Sequence, residues 1–273
     1  MKIAVLGSGS RGNATILMSG ITGILIDAGL SSAQMVKRLA HLGIDPSSVS
    51  AIVVTHDHGD HSRGSGVFAR KHGTPIYLTR ATSTACEQLF RGTERLEYYA
   101  PGRSFTIGEF QVDPFLTVHD AVDPVGVTVT GTRCGTRVGI ATDLGRPTEG
   151  IIHSLSGCHF LVLEANHDEE MLRTGPYPAL VQARIVSSHG HLSNHAAAEL
   201  ARQLLHPQLS GIFLAHLSGK CNRPELARNA VRGILRKAGW RGFLEVATQD
   251  EPTRLVDIGE LRLRGESRQL SLF

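Results

Sequence analysis

The 273-residue chain has only four cysteines, Cys86, Cys134, Cys158 and Cys221, and they form no C-x-x-C pair. That spacing argues against a disulfide framework and a thiolate zinc site, and fits a reducing compartment. Long apolar runs are missing too: Ile3 to Leu6 is cut off by Gly7, and no stretch approaches a membrane span. The expectation is therefore an unexported, cytoplasmic protein with no membrane partner. A large excess of one charge sign is also absent. The formal net charge is +3 and the pI near 8.8, which permits a phosphate-binding surface without demanding a polyanion. No fixed-period repeat, low-complexity tract or linker divides the chain. Residues 1–250 are read as one domain and 251–273 as a tail, whose last dozen residues are rich in Arg, Glu and Ser.

What the chain does have is 41% hydrophobic residues, enough for a substantial core, arranged in short apolar runs between turn signals. Strands are expected at Lys2 to Leu6, Ala14 to Met18, Gly23 to Ile26, Ala51 to Thr55 and Ile76 to Leu78. A hairpin over Ser104 to Thr117 turns at Gly108, and Val125 to Asp143 reads as two strands. Phe160 to Leu163, Gly211 to Ala215 and Gly242 to Val246 complete the set. Helical periodicity marks Ser31 to Leu42, Arg63 to His72, Asn194 to Leu205 and Pro224 to Ala238. The implied architecture is α/β, two β-rich layers with helices outside.

Fourteen histidines are many for this length. His56, His58, Asp60 and His61 form an H-x-H-x-D-H string directly after an apolar strand. So dense a set of nitrogen and oxygen donors points to a divalent transition metal rather than a polar turn with incidental histidines. His119, Asp143 and His216 each follow an apolar run in the same way, so their loops would converge on one edge of the sheets. Gly7 to Asn13 is a glycine and serine turn that either lines an anion site, with Ser10 and Asn13 as contacts, or only reverses the chain. It is not a Walker loop.

In order and spacing this series resembles the metallo-β-lactamase superfamily: Asp27 in Ile24 to Gly29, the His56 to His61 string, then His119, Asp143 and His216. The resemblance implies a four-layer αββα sandwich holding two divalent ions, with zinc, manganese and iron all compatible with the donors. His56, His58 and His119 would hold one ion and Asp60, His61 and His216 the other, with Asp143 bridging and Asp27 orienting a ligand. Two ions would acidify a bridging water and stabilise charge on phosphoryl oxygens.

Leu163 to Asp168, Tyr177-Pro178, Gly190 to Asn194, Ala215 to Ser218 and Cys221 to Glu225 narrow the likeness. Together they look like the WalJ/YycJ family of DNA exonucleases, which implies 5′-to-3′ digestion of DNA and no β-CASP insertion. Asp60 and His191 would be catalytic, His191 protonating the leaving oxygen. Asn166, His167, Ser193 and Asn194 would contact substrate, although Ser193 or Asn194 would also cap the helix that follows. The final Gln269-Leu270-Ser271-Leu272-Phe273 resembles the bacterial sliding-clamp-binding motif, with Gln269, Leu270, Leu272 and Phe273 as contacts, against the alternative of an apolar end folded on its own domain. The rival readings are a small-molecule hydrolase on the same ligands, either a cyclic phosphodiesterase or a glyoxalase-like thioesterase, and a non-catalytic scaffold. A shallow basic trough favours the nuclease and a closed pocket the small-molecule enzyme.

Overall fold

Strands that are apolar at every position are buried on both faces, and that is how this chain forms two stacked sheets. The computed structural model describes residues 1–263. The first sheet contains β1 (Lys2–Gly7), β2 (Ala14–Ser19), β3 (Thr22–Ile26), β4 (Val49–Val53), β5 (Ile76–Leu78) and β6 (Leu96–Tyr98). The second contains β7 (Phe105–Ile107), β8 (Phe110–Leu116), β9 (Val125–Gly131), β10 (Arg137–Ala141), β11 (Phe160–Glu164), β12 (Gly211–Ala215) and β13 (Phe243–Val246). The chain then returns to the first sheet as β14 (Val256–Asp257), beside β1.

The two sheets share one topology. From β14 through β1 and β2 to β3 the pairings are antiparallel, and from β3 through β4 and β5 to β6 they are parallel. From β7 through β8 and β9 to β10 they are again antiparallel, and from β10 through β11 and β12 to β13 again parallel. No sequence period announces this repeat; it exists in the connectivity.

Alternate residues divide the core. Ile3, Val5, Ile24, Ile26, Val127, Val162 and Phe213 meet between the sheets. Their neighbours Ala4, Leu6 and Leu25 face the other way, against α1 (Ser32–His41) and α3 (Ser65–His72). On the second sheet Leu161, Leu163, Ile212 and Leu214 pack with residues of the outer helices described below. The result is the expected αββα sandwich.

Boundaries differ in instructive places. The helix expected over Arg63 to His72 begins at Ser65 as α3, and a separate short helix, α2 (Gly59–Ser62), which carries Asp60 and His61, precedes it. They part at Gly64, whose N–H donates to Ala28 O (2.8 Å) and where a Cβ would overlap the Leu30 carbonyl oxygen. Short elements of weak periodicity escape the sequence reading: β6, α4 (Arg80–Ala85), α5 (Glu149–Leu155), α6 (Glu169–Thr174) and α7 (Ala179–Val186). The long helices are α8 (Asn194–Gln203) and α9 (Pro224–Lys237), which pack on the second sheet together with α5. Among the described residues no helix is long and apolar enough to cross a membrane.

The stretch read as the start of a tail belongs to the first sheet. Thr253, Val256 and Ile258 are buried, and Val5 and Thr253 exchange two bonds: Val5 N to Thr253 Oγ1 (2.9 Å) and Thr253 N to Val5 O (2.9 Å). Thr253→Val leaves the buried Val5 N–H without its acceptor and is expected to cost about 1–3 kcal/mol, read from urea unfolding. An unchanged midpoint would show that 251–258 adds nothing to the domain.

Candidate metal centre and active site

The loops after β3, β4, β8, β10, β11 and β12 converge on one edge of the sandwich, where open α/β sheets place ligands. They bring together all seven sequence-derived donors. His56, His58 and His119 have donor atoms within 4.8 Å of one another, as do Asp60, His61 and His216. Asp143 falls within the same limit of both His56 and His61.

Hydrogen bonds turn the imidazoles. His61 Nδ1 donates to Asp27 Oδ2 (2.7 Å), so its Nε2 faces inward, 2.8 Å from Asp143 Oδ2. Thr55 donates to the same Asp27 through both N (2.8 Å) and Oγ1 (2.9 Å). With that hydroxyl committed, His56 Nδ1 is the donor to Thr55 Oγ1 (3.0 Å), leaving Nε2 buried and without a partner. His119 Nδ1 donates to Gly190 O (3.1 Å), which turns Nε2 toward His58 Nδ1, 3.3 Å away. Three residues of the site hold the left-handed backbone that glycine favours: Asp27 (φ 64°), Asp143 (φ 55°) and His216 (φ 55°). His216 is fixed there on both sides, its N–H donating to Ser8 Oγ (2.7 Å) and its carbonyl accepting from Asn166 Nδ2 (2.9 Å).

The orphaned His56 Nε2 and Asp143 Oδ2, both buried among inward-facing nitrogens, are what a divalent-ion site looks like from the protein side. The donor set, imidazole and carboxylate without thiolate, fits zinc, manganese or iron.

The sequence reading missed Glu164. It ends β11, is fully buried, and accepts from four donors: Leu144 N (2.7 Å), Leu192 N (3.3 Å), His191 Nδ1 (2.7 Å) and His216 Nδ1 (2.9 Å). Its signal was the one used for the others, an acid at the end of an apolar strand. His191 is thereby held at Nδ1 and offers Nε2 to the cleft it lines.

The substrate-side candidates divide. Ser10 and Asn166 line the cleft, as does His191. Asn13, His167, Ser193 and Asn194 do not; each is buried behind the wall. Asn13 Oδ1 accepts from Ser8 Oγ (2.9 Å) while its Nδ2 donates to Asp60 Oδ2 (3.2 Å), so it braces the ligand loops. Ser193 caps α8 through Ala196 N (3.2 Å) and donates to Glu169 Oε1 (2.8 Å). Asn194 and Asn222 exchange side-chain bonds (2.8 and 2.9 Å), and His167 gives its carbonyl to Asn194 N (2.8 Å). A polar residue beside a site reads the same in sequence whether it faces ligand or brace.

A sequence family described as "Beta-lactamase superfamily domain" matches residues 22–212. Exodeoxyribonuclease YycJ of Bacillus anthracis is 34% identical over 242 residues, covering 88% of this chain and 91% of that protein. Exodeoxyribonuclease WalJ of Streptococcus pneumoniae serotype 2 is 34% identical over 244 residues, covering 87% and 89%. The chain belongs to the metallo-β-lactamase superfamily, in the family of WalJ and YycJ. A crystal structure of the metallo-β-lactamase fold protein YhfI from Bacillus subtilis shares the fold at a TM-score of 0.71, with 17% identity and coverage of 93% and 99%. Family and donor set together make this protein a metal-dependent hydrolase.

Without metal, the cluster balances its own charge. Burial opposes ionisation of Glu164, but His191 and His216 outweigh it and hold the carboxyl down at about 2. Burial likewise opposes a proton on His216, but Asp143, Asp60 and Glu164 raise it to about 10. His61, between Asp143 and Asp27, is also pushed well up despite its burial, while His56 is pushed well down by burial and by His61. A depressed carboxyl stabilises the fold above its ordinary 4.5 and loses that as pH falls toward 2. A raised histidine stabilises below its ordinary 6.5 and loses that as pH rises toward 10. Chelator-treated protein should therefore have its highest Tm between pH 4.5 and 6.5 and fall on both sides. Zinc-loaded protein should hold its Tm above pH 6.5, because the ion replaces those protons. Calorimetry across pH checks both; a chelated Tm that climbs from 6.5 to 10 would contradict the charge balance.

Proposed function

We infer that this protein is a DNA exonuclease that digests from the 5′ end in the cytoplasm, and that His56, His58, His119, Asp60, His61, His216 and Asp143 would hold two divalent ions. Zinc, manganese or iron would serve. The observation that carries the reading is the Glu164–His191 pair beside the metal donors, 2.7 Å between Oε1 and Nδ1. A phosphodiester loses a poor leaving group, a sugar oxygen, and needs a proton donor there. The buried Glu164 carboxylate on Nδ1 fixes the ring and aims Nε2 into the cleft as that donor. The DNA substrate rests on the kinship with WalJ and YycJ, both exodeoxyribonucleases, which spans nearly the whole chain; the 5′ polarity is what the motif resemblance to that family implies.

The ions, when bound, supply an acidified water and positive charge opposite the phosphoryl oxygens. The chain supplies the rest. Asp27 sets the ring of His61, Asn13 and Ser8 brace the loops of Asp60 and His216, and Ser10 and Asn166 meet the strand at the cleft. The cleft holds about 290 Å³, and its rim, with Ser10, Arg184 and His189 exposed, is open to solvent. Its basic groups are few, so the metals must do most of the phosphate binding. The sliding-clamp motif, Gln269, Leu270, Leu272 and Phe273, lies outside the described residues; as part of this reading it tethers the enzyme at replicating DNA.

The test is digestion of end-labelled DNA by metal-loaded protein. Wild type should release nucleotides progressively from the 5′ end. Asp143→Ala should abolish this, and His191→Ala should lower kcat by about 10²–10⁴-fold with little change in KM. Glu164→Gln, which keeps shape but removes the charge, should lower kcat as well. No digestion with zinc, manganese or iron, alongside hydrolysis of cyclic nucleotides or thioesters, would replace the reading with the small-molecule one.

A further inference from the structure

A cleft built to hold metal and phosphate has no use for an apolar wall, yet this one has such a wall. Val181 and Ile185 lie four residues apart on one face of α7, Tyr177 stands just before that helix begins, and all three line the cleft. α7 buries none of its residues, whereas α8 buries Ala197, Ala198, Leu200 and Ala201. Its apolar stripe thus faces the metal cleft instead of a core. Leaving such side chains half exposed forgoes burial that other helices of this protein obtain.

The wall is joined to the reaction centre. His191 N donates to Ile185 O (2.9 Å), and a Cβ at Gly190 would overlap the carbonyl oxygens of Arg184 and Ile185. α7 therefore rests directly on the strand of chain that presents His191. Across the cleft, Arg184 pairs with Asp120 (2.7 Å), the residue after His119. Lys220 Nζ stands 5.3 Å from the centre of the Tyr177 ring, a cation beside the wall. Flat apolar and aromatic surface next to cations and a phosphate-binding centre is the chemistry that receives a nucleobase.

We propose that the Tyr177–Val181–Ile185 stripe of the cleft is the platform on which the base of the terminal nucleotide stacks, so that DNA reaches the metals as an unpaired end. The inference rests on the nuclease reading and specifies its substrate. A base engaged on this wall sets the distance from its phosphate to His191, since the wall is bonded to the segment that carries His191. A paired base has its faces covered by its neighbours in the duplex and cannot use the platform, so the enzyme takes ends that have frayed.

Two 5′-phosphorylated single-stranded oligonucleotides test this, one beginning with thymidine and the other with an abasic tetrahydrofuran residue, each given to the metal-loaded enzyme. Wild type should cleave the thymidine end with a kcat/KM at least about tenfold higher, the scale of one base stacked on an aromatic platform. Tyr177→Ala and Val181→Ser should each shrink that ratio toward one. Leu180→Ser, on the same helix but outside the cleft lining and largely exposed, should keep it. Equal wild-type rates on the two ends, or a ratio untouched by both wall variants, would overturn the platform and leave the nuclease standing. Cleavage of neither oligonucleotide by enzyme that digests end-labelled duplex DNA would overturn the platform alone; failure on duplex as well would remove the nuclease reading with it.

Discussion

Buried negative charge is the constraint on which this structure turns. Asp143 and Glu164 are both buried, and an ionised carboxylate in that position costs several kcal/mol unless donors surround it. The protein meets the demand with imidazoles and backbone amides. His61 and His216 stand against Asp143, and Leu144 N, Leu192 N, His191 and His216 against Glu164. These groups are drawn from loops far apart in sequence, so satisfying two carboxylates closes the whole edge of the sandwich. Divalent ions fit the same place because they solve the same problem, with two charges where a proton brings one.

Holding those loops at the required distances takes backbone as much as side chains. Asn13 N donates to Asp60 O (2.7 Å), Gly29 N to Asn13 O (2.9 Å) and Ala28 N to His61 O (2.8 Å), which laces three segments into one layer beneath the first metal donors. Gly29 sits in that lacing where a Cβ would overlap the Asp60 carbonyl oxygen, so the approach is open to glycine alone. The repeated topology explains a further symmetry. Asp27 follows β3 and Asp143 follows β10, the two strands at which antiparallel pairing changes to parallel, and both adopt the left-handed backbone. Each sheet thus offers one acid at its switch point. One acid orients a histidine from behind, and the other faces the cleft.

Much of this was legible in sequence. Doubly buried strands announce themselves as unbroken apolar runs, and a donor at the end of such a run is conspicuous, which is why His119 and His216 could be picked out of fourteen histidines and Asp143 found on its own. Glu164 obeyed the same rule and was passed over because an acid between Leu163 and Ala165 carries no motif of its own. Asn13, Ser193 and Asn194 lie off the cleft lining in bracing and capping bonds, Ser193 in the capping role the sequence also suggested. Their residue types suit ligand and backbone equally, and direction of a side chain is not encoded in its identity.

By itself, then, the sequence determined the strand pattern, the donor types and their order, because burial period and metal preference are properties of residues taken locally. Tertiary structure alone decided which polar groups face the cleft and which brace it. It also turned Val256 and Asp257 from the beginning of a tail into an edge strand, and brought the stripe of α7 to the metals. Those outcomes depend on contacts between segments separated by tens to hundreds of residues, and such contacts are fixed only when the sheets stack and the buried charges find their donors.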